Sequence, residues 1–414
     1  MKVAFVSYEC PPEAGGGIGT YIQQAADMLA ARGHRVEVFA GSGDRAGVDD
    51  RPNGVRVHRV AAPDRRKFPP LIAPVFAARH RAVGFDVLEG PDYMAEAAEC
   101  RVAAPDVPYV AKLHTSLLFV RQIERDVLGP VGRLQARWTA WRRGLPPDWS
   151  AAHPTSRREV TDVRSADGVA APSHSIGQRV VKEWGVDPAR VETYPYPFTP
   201  APGYLAVKPG SEAPVVTFVG RLEIRKGVEN LARAVPLVRR AVPGARFRFV
   251  GGTLASRNPA VTMEAHLKQM LAEHAAAVEF LGRRPPAELP GLLADTAVCA
   301  FPSLWESFGF VALEAMAAAR PVVASRDCGL AELLDQGRVG RLVDPHSPAD
   351  IAAKIVELLG DARLRRELGE RGRERVLSEY AVDSVAPRQE AHYERVVAGC
   401  RPESQARGLA GGVP

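Results

Sequence analysis

The segment Phe301-Pro302-Ser303-Leu304-Trp305-Glu306-Ser307-Phe308-Gly309-Phe310-Val311-Ala312-Leu313-Glu314 sets two carboxylates around an apolar run. A buried strand leads into the loop that holds Glu306. A helix starts near Gly309, with Glu314 about one turn inside it. Both carboxylates then project toward the mouth of one cleft. Free N–H groups around Phe308, Gly309 and Phe310 can hold a phosphate. Acids this close to a phosphate repel it unless they bind hydroxyls, so two adjacent ribose hydroxyls are the natural ligand of Glu314. The competing reading makes Glu306 a surface acid and Glu314 a salt-bridge partner on its helix.

Gly220-Arg221-Leu222-Glu223-Ile224-Arg225-Lys226-Gly227 follows an apolar strand directly. Arg221 falls at the carboxyl end of that strand and Lys226 near the start of the next helix. Two cations in a water-poor cleft stabilise the charge that develops on a departing diphosphate. The bland alternative is a basic surface turn paired with Glu223. Upstream, Gly15-Gly16-Gly17-Ile18-Gly19-Thr20 lies between a strand and a helix. Its glycines admit a ligand close to the backbone, and the helix N-terminus offers N–H groups to anions. The spacing does not meet the Gly-x-Gly-x-x-Gly dinucleotide fingerprint, which argues against a nicotinamide enzyme. His114 ends the run Pro108–Leu113. It either faces the cleft or is a hydrogen-bonded core histidine.

The elements that position these residues alternate along the chain. Lys2–Ser7 is a continuous apolar run, as in a strand buried on both faces of a parallel sheet. Thr20–Ala31 carries Ile22, Ala25, Ala26 and Leu29 at helical spacing, and Arg35–Ala40 is the next strand. Further strands are expected at Val55–Val60, Phe85–Gly90, Pro108–His114, Gly168–Pro172 and Arg190–Tyr194. Ser116–Glu159 is Arg- and Trp-rich, and its course is not legible. A Pro/Gly-dense linker spans Pro195–Pro214. The alternation restarts at Val215–Val219 and continues through strands at Phe247–Val250, Val278–Leu281, Ala297–Phe301, Val322–Ala324 and Arg341–Val343. Two consecutive doubly wound α/β halves follow, facing one another across a cleft at the carboxyl ends of their strands.

The chain has 414 residues, enough for two domains, with 46% apolar and 25% charged residues. Its net charge of +6 suits an anionic ligand or an anionic surface, and equally a protein with neither. No helix-turn-helix, zinc-finger or RNA-binding signature appears, so nucleic acid is not an expected partner. Five scattered cysteines give neither a disulfide framework nor a zinc site. No signal peptide and no run of membrane-spanning length is evident, and the expected location is the cytoplasm.

Taken together, these residues resemble the retaining glycosyltransferases of family four, which have the two-domain GT-B fold. The resemblance covers roughly residues 1–397 and is weakest over 61–165. It rests on Glu-x7-Glu, met by Glu306 and Glu314, on Gly-Arg-Leu-x3-Lys-Gly at Gly220–Gly227, and on the Gly-rich first loop. It implies an acceptor-side domain over 1–198, a donor-binding domain over 212–381, a helix near 382–397 crossing back to the first domain, and a loose tail over 398–414. By the resemblance, Arg221 and Lys226 clamp the donor diphosphate, Glu314 binds the ribose, and Glu306 grips the transferred sugar. His114 stands beside that sugar, Gly16 and Gly17 lie near the phosphates and the acceptor, and Phe308 and Gly309 present backbone to the nucleotide. It further implies no metal and no cofactor beyond a UDP- or GDP-sugar co-substrate, with a hexose passing to an acceptor hydroxyl. The leaving diphosphate would take the acceptor's proton on the same face of the sugar.

A nucleotide-sugar epimerase or hydrolase would keep the same clamp. A binding protein without catalysis would be expected to lose one of the paired glutamates or cations, and this chain keeps all four. Two stretches raise peripheral membrane contact: apolar Phe68–Phe76 with Arg65, Arg66, Lys67, Arg79 and Arg81 around it, and Arg133–Arg143 with Trp138 and Trp141. Basic residues beside aromatics can dock on anionic lipid. A packed, partly buried helix with basic ends, or the wall of an acceptor pocket, is the favoured reading of both.

Overall fold

In the computed structural model, residues 1–13, 16–258 and 260–400 are described. Eight strands form the first sheet: β1 (Lys2–Ser7), β2 (Arg35–Ser42), β3 (Gly47–Asp50), β4 (Arg56–Ala61), β5 (Val87–Pro91), β6 (Tyr109–Lys112), β7 (Gly168–Ala171) and β8 (Val191–Thr193). Their spatial order is β3-β4-β2-β1-β5-β6-β7-β8, parallel except for β3. The second sheet holds β9 (Val215–Val219), β10 (Arg246–Val250), β11 (Val278–Phe280), β12 (Val298–Phe301), β13 (Val322–Ser325) and β14 (Arg341–Val343). Its order, β11-β10-β9-β12-β13-β14, is that of a Rossmann domain, all parallel.

Every strand expected from the sequence is present, with its ends moved by at most two residues. The continuous apolar runs are those with helices on both sheet faces, so Val3, Phe5, Val38, Val87, Val216 and Val298 are fully or almost fully buried. The antiparallel strand β3 was not expected. Gly47-Val48-Asp49-Asp50 has no apolar alternation, and the strand is an exposed edge. Cross-strand ion pairs hold it: Asp49 with Arg59, and Asp50 with Arg56. The illegible stretch resolves into helices over Leu117–Val127, Pro130–Arg142 and Pro154–Arg164. Ser116 caps the first, its hydroxyl accepting from the Phe119 N–H at 3.2 Å.

In each sheet the strand order reverses beside the first strand, between β1 and β5 and between β9 and β12. Ligand crevices open at such points, beyond the strands' carboxyl ends. The last helix, Val382–Cys400, packs on the first domain. Glu390 pairs with Arg32 and His34, and Tyr393 donates to Glu89 at 2.7 Å. Residues 398–400, expected to be loose, continue this helix; the rest of that segment, 401–414, lies outside the described residues. Among the described residues no helix is long and apolar enough to cross a membrane.

Candidate functional site

Two loops of the second domain interlock at the end of β9 and β12. Gly227 has φ +66°, and a Cβ there would overlap the Pro302 carbonyl oxygen. Glycine thus lets the backbone after β9 lie against the loop after β12. The Leu304 N–H donates to the Arg225 carbonyl at 2.8 Å. On the other side, the Gly329 N–H donates to the Glu306 carbonyl at 2.9 Å, and a Cβ on Gly329 would strike Ser307. The loop holding Glu306 is therefore clamped between two glycines from distant parts of the chain.

This packing decides the electrostatics. The Lys226 ammonium donates to the Glu306 carboxylate, and Arg225 Nη1 lies 3.5 Å from it. Arg225 also donates to the Trp305 carbonyl at 3.2 Å and to Glu223 at 2.7 Å. Burial pushes the Glu306 carboxyl up, but Lys226, Arg225 and Arg221 outweigh it and hold it below the ordinary value, so Glu306 is ionised. Arg221 stays open, its side chain 61% exposed, with its charge bearing on both Glu306 and Tyr93 of the first domain. Its nearest acid is Glu223, at 3.5 Å, which Arg225 holds more closely at 2.7 Å, so the pairing with Glu223 expected of a basic turn is present and Arg221 is the most exposed of the three cations.

Glu314 stands apart from these charges. Its half-buried carboxyl is pushed up to about 7 by burial, with no cation to oppose the shift. It is not the ion-paired helix acid of the bland reading. The buried Tyr204 hydroxyl near it has no hydrogen-bond partner, and burial together with the Glu314 charge raises its pKa. Gly309, at φ +108°, opens the helix Phe310–Ala317. The first N–H groups of that helix lack intrahelical acceptors, as at any helix start. Phe308 is buried against the ring of Tyr196, 4.6 Å between centroids.

The first domain meets this loop directly. The Ser307 hydroxyl donates to the His114 carbonyl, Thr115 donates to Ser307 Oγ at 3.1 Å, and Ser173 donates to the Ser307 carbonyl at 2.7 Å. His114 follows β6 and is buried, with Nδ1 2.7 Å from the Tyr196 hydroxyl. That hydroxyl donates its single hydrogen to the Leu113 carbonyl at 2.6 Å. Nδ1 must therefore carry the imidazole hydrogen, leaving a lone pair on Nε2, which is buried without a partner. Burial, then the charges of Lys112 and Arg65, depress the His114 pKa well below normal and keep the ring neutral. His114 is thus hydrogen-bonded through Nδ1, as in a core histidine, while its Nε2 has no partner.

The Gly-rich loop is arranged differently from the expectation of an open anion cradle. Glu9, just after β1, accepts from the Gly19 N–H at 3.2 Å. A Cβ on Gly16 would overlap that carboxylate, whereas Gly17 faces open space. The helix N-terminus already holds an internal anion, itself paired with Arg65 at 2.9 Å.

Several residues escaped the sequence reading. Asp92 follows β5, accepts from the His114 N–H at 2.8 Å, and has Oδ2 buried without a partner. Burial pushes its pKa up to about 8. The rule that singled out His114, a polar residue at a strand's carboxyl end, would have found Asp92. Arg225, Tyr196, Ser307 and Glu9 act through contacts with distant segments and carry no local signal.

One exposed cation, a paired ammonium, a helix start and a neutral histidine from the other domain are thus gathered about the loop that holds Glu306. Known proteins of similar sequence identify the family. Residues 15–201 match the model of "Glycosyltransferase Family 4", and residues 213–361 that of "Glycosyl transferases group 1". The chain is similar to the D-inositol 3-phosphate glycosyltransferase of Pseudarthrobacter chlorophenolicus, 30% identical over 385 residues and covering 86% of this chain and 84% of that one. It is also similar to the MMP alpha-(1->4)-mannosyltransferase of Mycolicibacterium hassiacum, 26% identical over 438 residues, covering 96% of this chain and 99% of that one. Among solved structures, sucrose-phosphate synthase from Thermosynechococcus elongatus has a TM-score of 0.74 at 23% identity, covering 96% and 99% of the two chains. Anabaena Alr3699/HepE in complex with UDP-glucose has a TM-score of 0.67 at 18% identity, covering 96% and 100%.

The fold, two Rossmann-like domains, is GT-B, and the matching family models make the chain a glycosyltransferase. Within that class, this chain belongs to glycosyltransferase family 4.

Proposed function

We propose that this chain moves a hexose from a UDP- or GDP-sugar to an acceptor hydroxyl, retaining the anomeric configuration and using no metal. Residues 212–381 hold the donor and residues 1–198, with the helix after 382, hold the acceptor. The observation that carries the reading is the Lys226–Glu306 pair, with the Arg221 charge bearing on it, in a loop whose next residue, Ser307, donates to the His114 carbonyl of the first domain. Two relatives carry glycosyltransferase names, and the HepE complex places UDP-glucose in a protein of this fold.

In this reading Arg221 and the helix start after Gly309 receive the diphosphate, and Lys226 turns from Glu306 to the departing phosphate. Glu306, released, accepts from hydroxyls of the transferred sugar. His114 Nε2 accepts from another hydroxyl of that sugar. Glu314 accepts from the ribose. The anomeric carbon–phosphate oxygen bond breaks as the acceptor oxygen bonds on the same face, and the acceptor proton passes to the departing phosphate oxygen. The cations offset the charge that develops there, the task a metal performs elsewhere.

A thermal-shift panel of UDP, GDP, ADP and TDP tests the donor site. UDP or GDP should raise the melting temperature, and Glu314→Ala should abolish most of the rise. Product mass spectrometry and the anomeric NMR coupling with a donor and acceptor library test transfer and retention. Rapid complete turnover of donor with no acceptor present would instead support the hydrolase or epimerase alternative.

A further inference from the structure

The two basic, aromatic stretches separate in the fold. Phe68–Val83 is packed, with Phe68, Ile72 and Phe76 fully buried. The helix Pro130–Arg142 is the reverse: none of its residues is buried. Val131, Leu134, Trp138 and Trp141 are all exposed, the two tryptophans at 55% and 75%. Their spacing puts them on one helix face. Gly132, Ala136 and Ala140 are its partly covered positions, and they fall on the opposite face. The helix thus rests on the protein by its small residues and turns its large apolar ones outward. Leu145, just beyond the helix, is exposed as well.

Arg137 and Arg142 flank this stripe on its two sides, and the Arg142 guanidinium stacks over Trp138 at 4.7 Å. From Leu128 to Pro147 the sequence has Arg133, Arg137, Arg142 and Arg143 and no acidic residue. None of these arginines is in an ion pair among the described residues. The nearest acids along the chain are already engaged: Glu124 and Asp148 with Arg121, and Asp126 with Arg125. An outward apolar stripe with interfacial tryptophans and unneutralised cations on both flanks fits the headgroup region of an anionic bilayer. A second copy fits poorly, since a two-fold contact through this helix would set arginine against arginine. The helix also lies near the cleft. The preceding helix starts at Leu117, three residues after His114, and its end at Val127 accepts from Arg257 of the second domain at 3.0 Å.

We propose that the outward face of Pro130–Arg142 docks this enzyme on anionic lipid membranes, with Trp138 and Trp141 inserted among the headgroups and Arg137 and Arg142 on their phosphates. The surface is independent of the donor site and of the reaction assigned to it.

Flotation of the full chain with vesicles of mixed phosphatidylglycerol and phosphatidylcholine, against phosphatidylcholine alone, tests it. The protein should float with the anionic vesicles only and be released by salt. Trp138→Ser with Trp141→Ser should abolish binding, and Arg137→Gln with Arg142→Gln should weaken it about tenfold or more. Arg233→Gln with Arg240→Gln removes the same charge elsewhere and should leave binding intact. These positions are exposed, so melting temperatures should not change, and any loss of binding is not a loss of fold. No flotation at low salt, equal flotation with neutral vesicles, or an equal loss in the Arg233/Arg240 variant would overturn the proposal. So would a concentration-dependent dimer that the tryptophan substitutions dissolve, or oligonucleotide binding lost in these variants without vesicle binding.

Discussion

The ion pair between Lys226 and Glu306 makes nucleotide binding a competition, and Glu306→Gln exposes it. In the structure the Lys226 ammonium is held by the Glu306 carboxylate, with Arg225 close by. A diphosphate must draw Lys226 away from that acid before it gains the full charge. A charge-assisted hydrogen bond contributes about 2 kcal/mol net. Neutralising Glu306 removes that opposing interaction, so the variant should bind UDP or GDP more tightly, by roughly thirtyfold in Kd. The same change strands Lys226, while Arg225 keeps Glu223 at 2.7 Å. Losing one partner of a buried pair destabilises by about 3–5 kcal/mol, so the unliganded variant should melt lower than the parent. Saturating nucleotide should then raise its melting temperature by more than it raises the parent's. Transfer should be lost, because the amide carries no charge to grip the sugar hydroxyls as the carboxylate does. Isothermal titration with UDP and GDP reads the affinity and product formation reads the transfer. Weaker or unchanged nucleotide binding in a folded variant would refute the competition. Retained transfer would remove Glu306 from the site.

Asp92 keeps its proton to about pH 8 when folded, whereas an unfolded aspartate loses it near pH 4. The folded state therefore binds more protons between these values, and stability from this residue falls as pH rises through that window. Asp92→Asn should gain stability relative to the parent from pH 5 to pH 8, read as the difference in denaturant midpoints; a constant difference would count against the shift. Tyr196→Phe frees His114 Nδ1 and should lower kcat about tenfold, the loss of one hydrogen bond of roughly 1.4 kcal/mol. Its donor KM should stay close to the parent's, and unchanged kcat would mean the phenol does not orient the imidazole. Gly227→Ala adds a Cβ against the Pro302 carbonyl at positive φ. It should lower the melting temperature, by about 1–2 kcal/mol from the backbone alone and more from the overlap, and abolish the nucleotide-induced shift. A fully active, stable variant would show that the two loops need not interlock.

Much of this protein was legible in its residues. Local burial leaves a local mark: Lys2–Ser7 and Val215–Val219 read as strands because a strand covered on both faces must be apolar throughout. His114, Arg221, Glu306 and Glu314 could be placed at strand ends and a helix start because the alternation fixes where each strand stops. The same rule, applied to β5, would have added Asp92. The hairpin strand β3 left no mark because charge pairs across strands, rather than apolar alternation, hold it.

What the tertiary structure decided are the relations between segments far apart in sequence. Sequence placed Lys226 with the phosphates and Glu306 with the sugar; folding pairs them, through a glycine that only packing shows to be required. Sequence offered the Gly-rich helix start as an anion site; folding sets Glu9 there. Sequence could not choose the His114 tautomer, which a phenol from Tyr196 and a backbone carbonyl settle together. Nor could it tell the buried helix over 68–83 from the exposed one over 130–142, since both are basic and aromatic. Periodicity reports that a face is apolar, but whether another element covers it depends on where the rest of the chain lies.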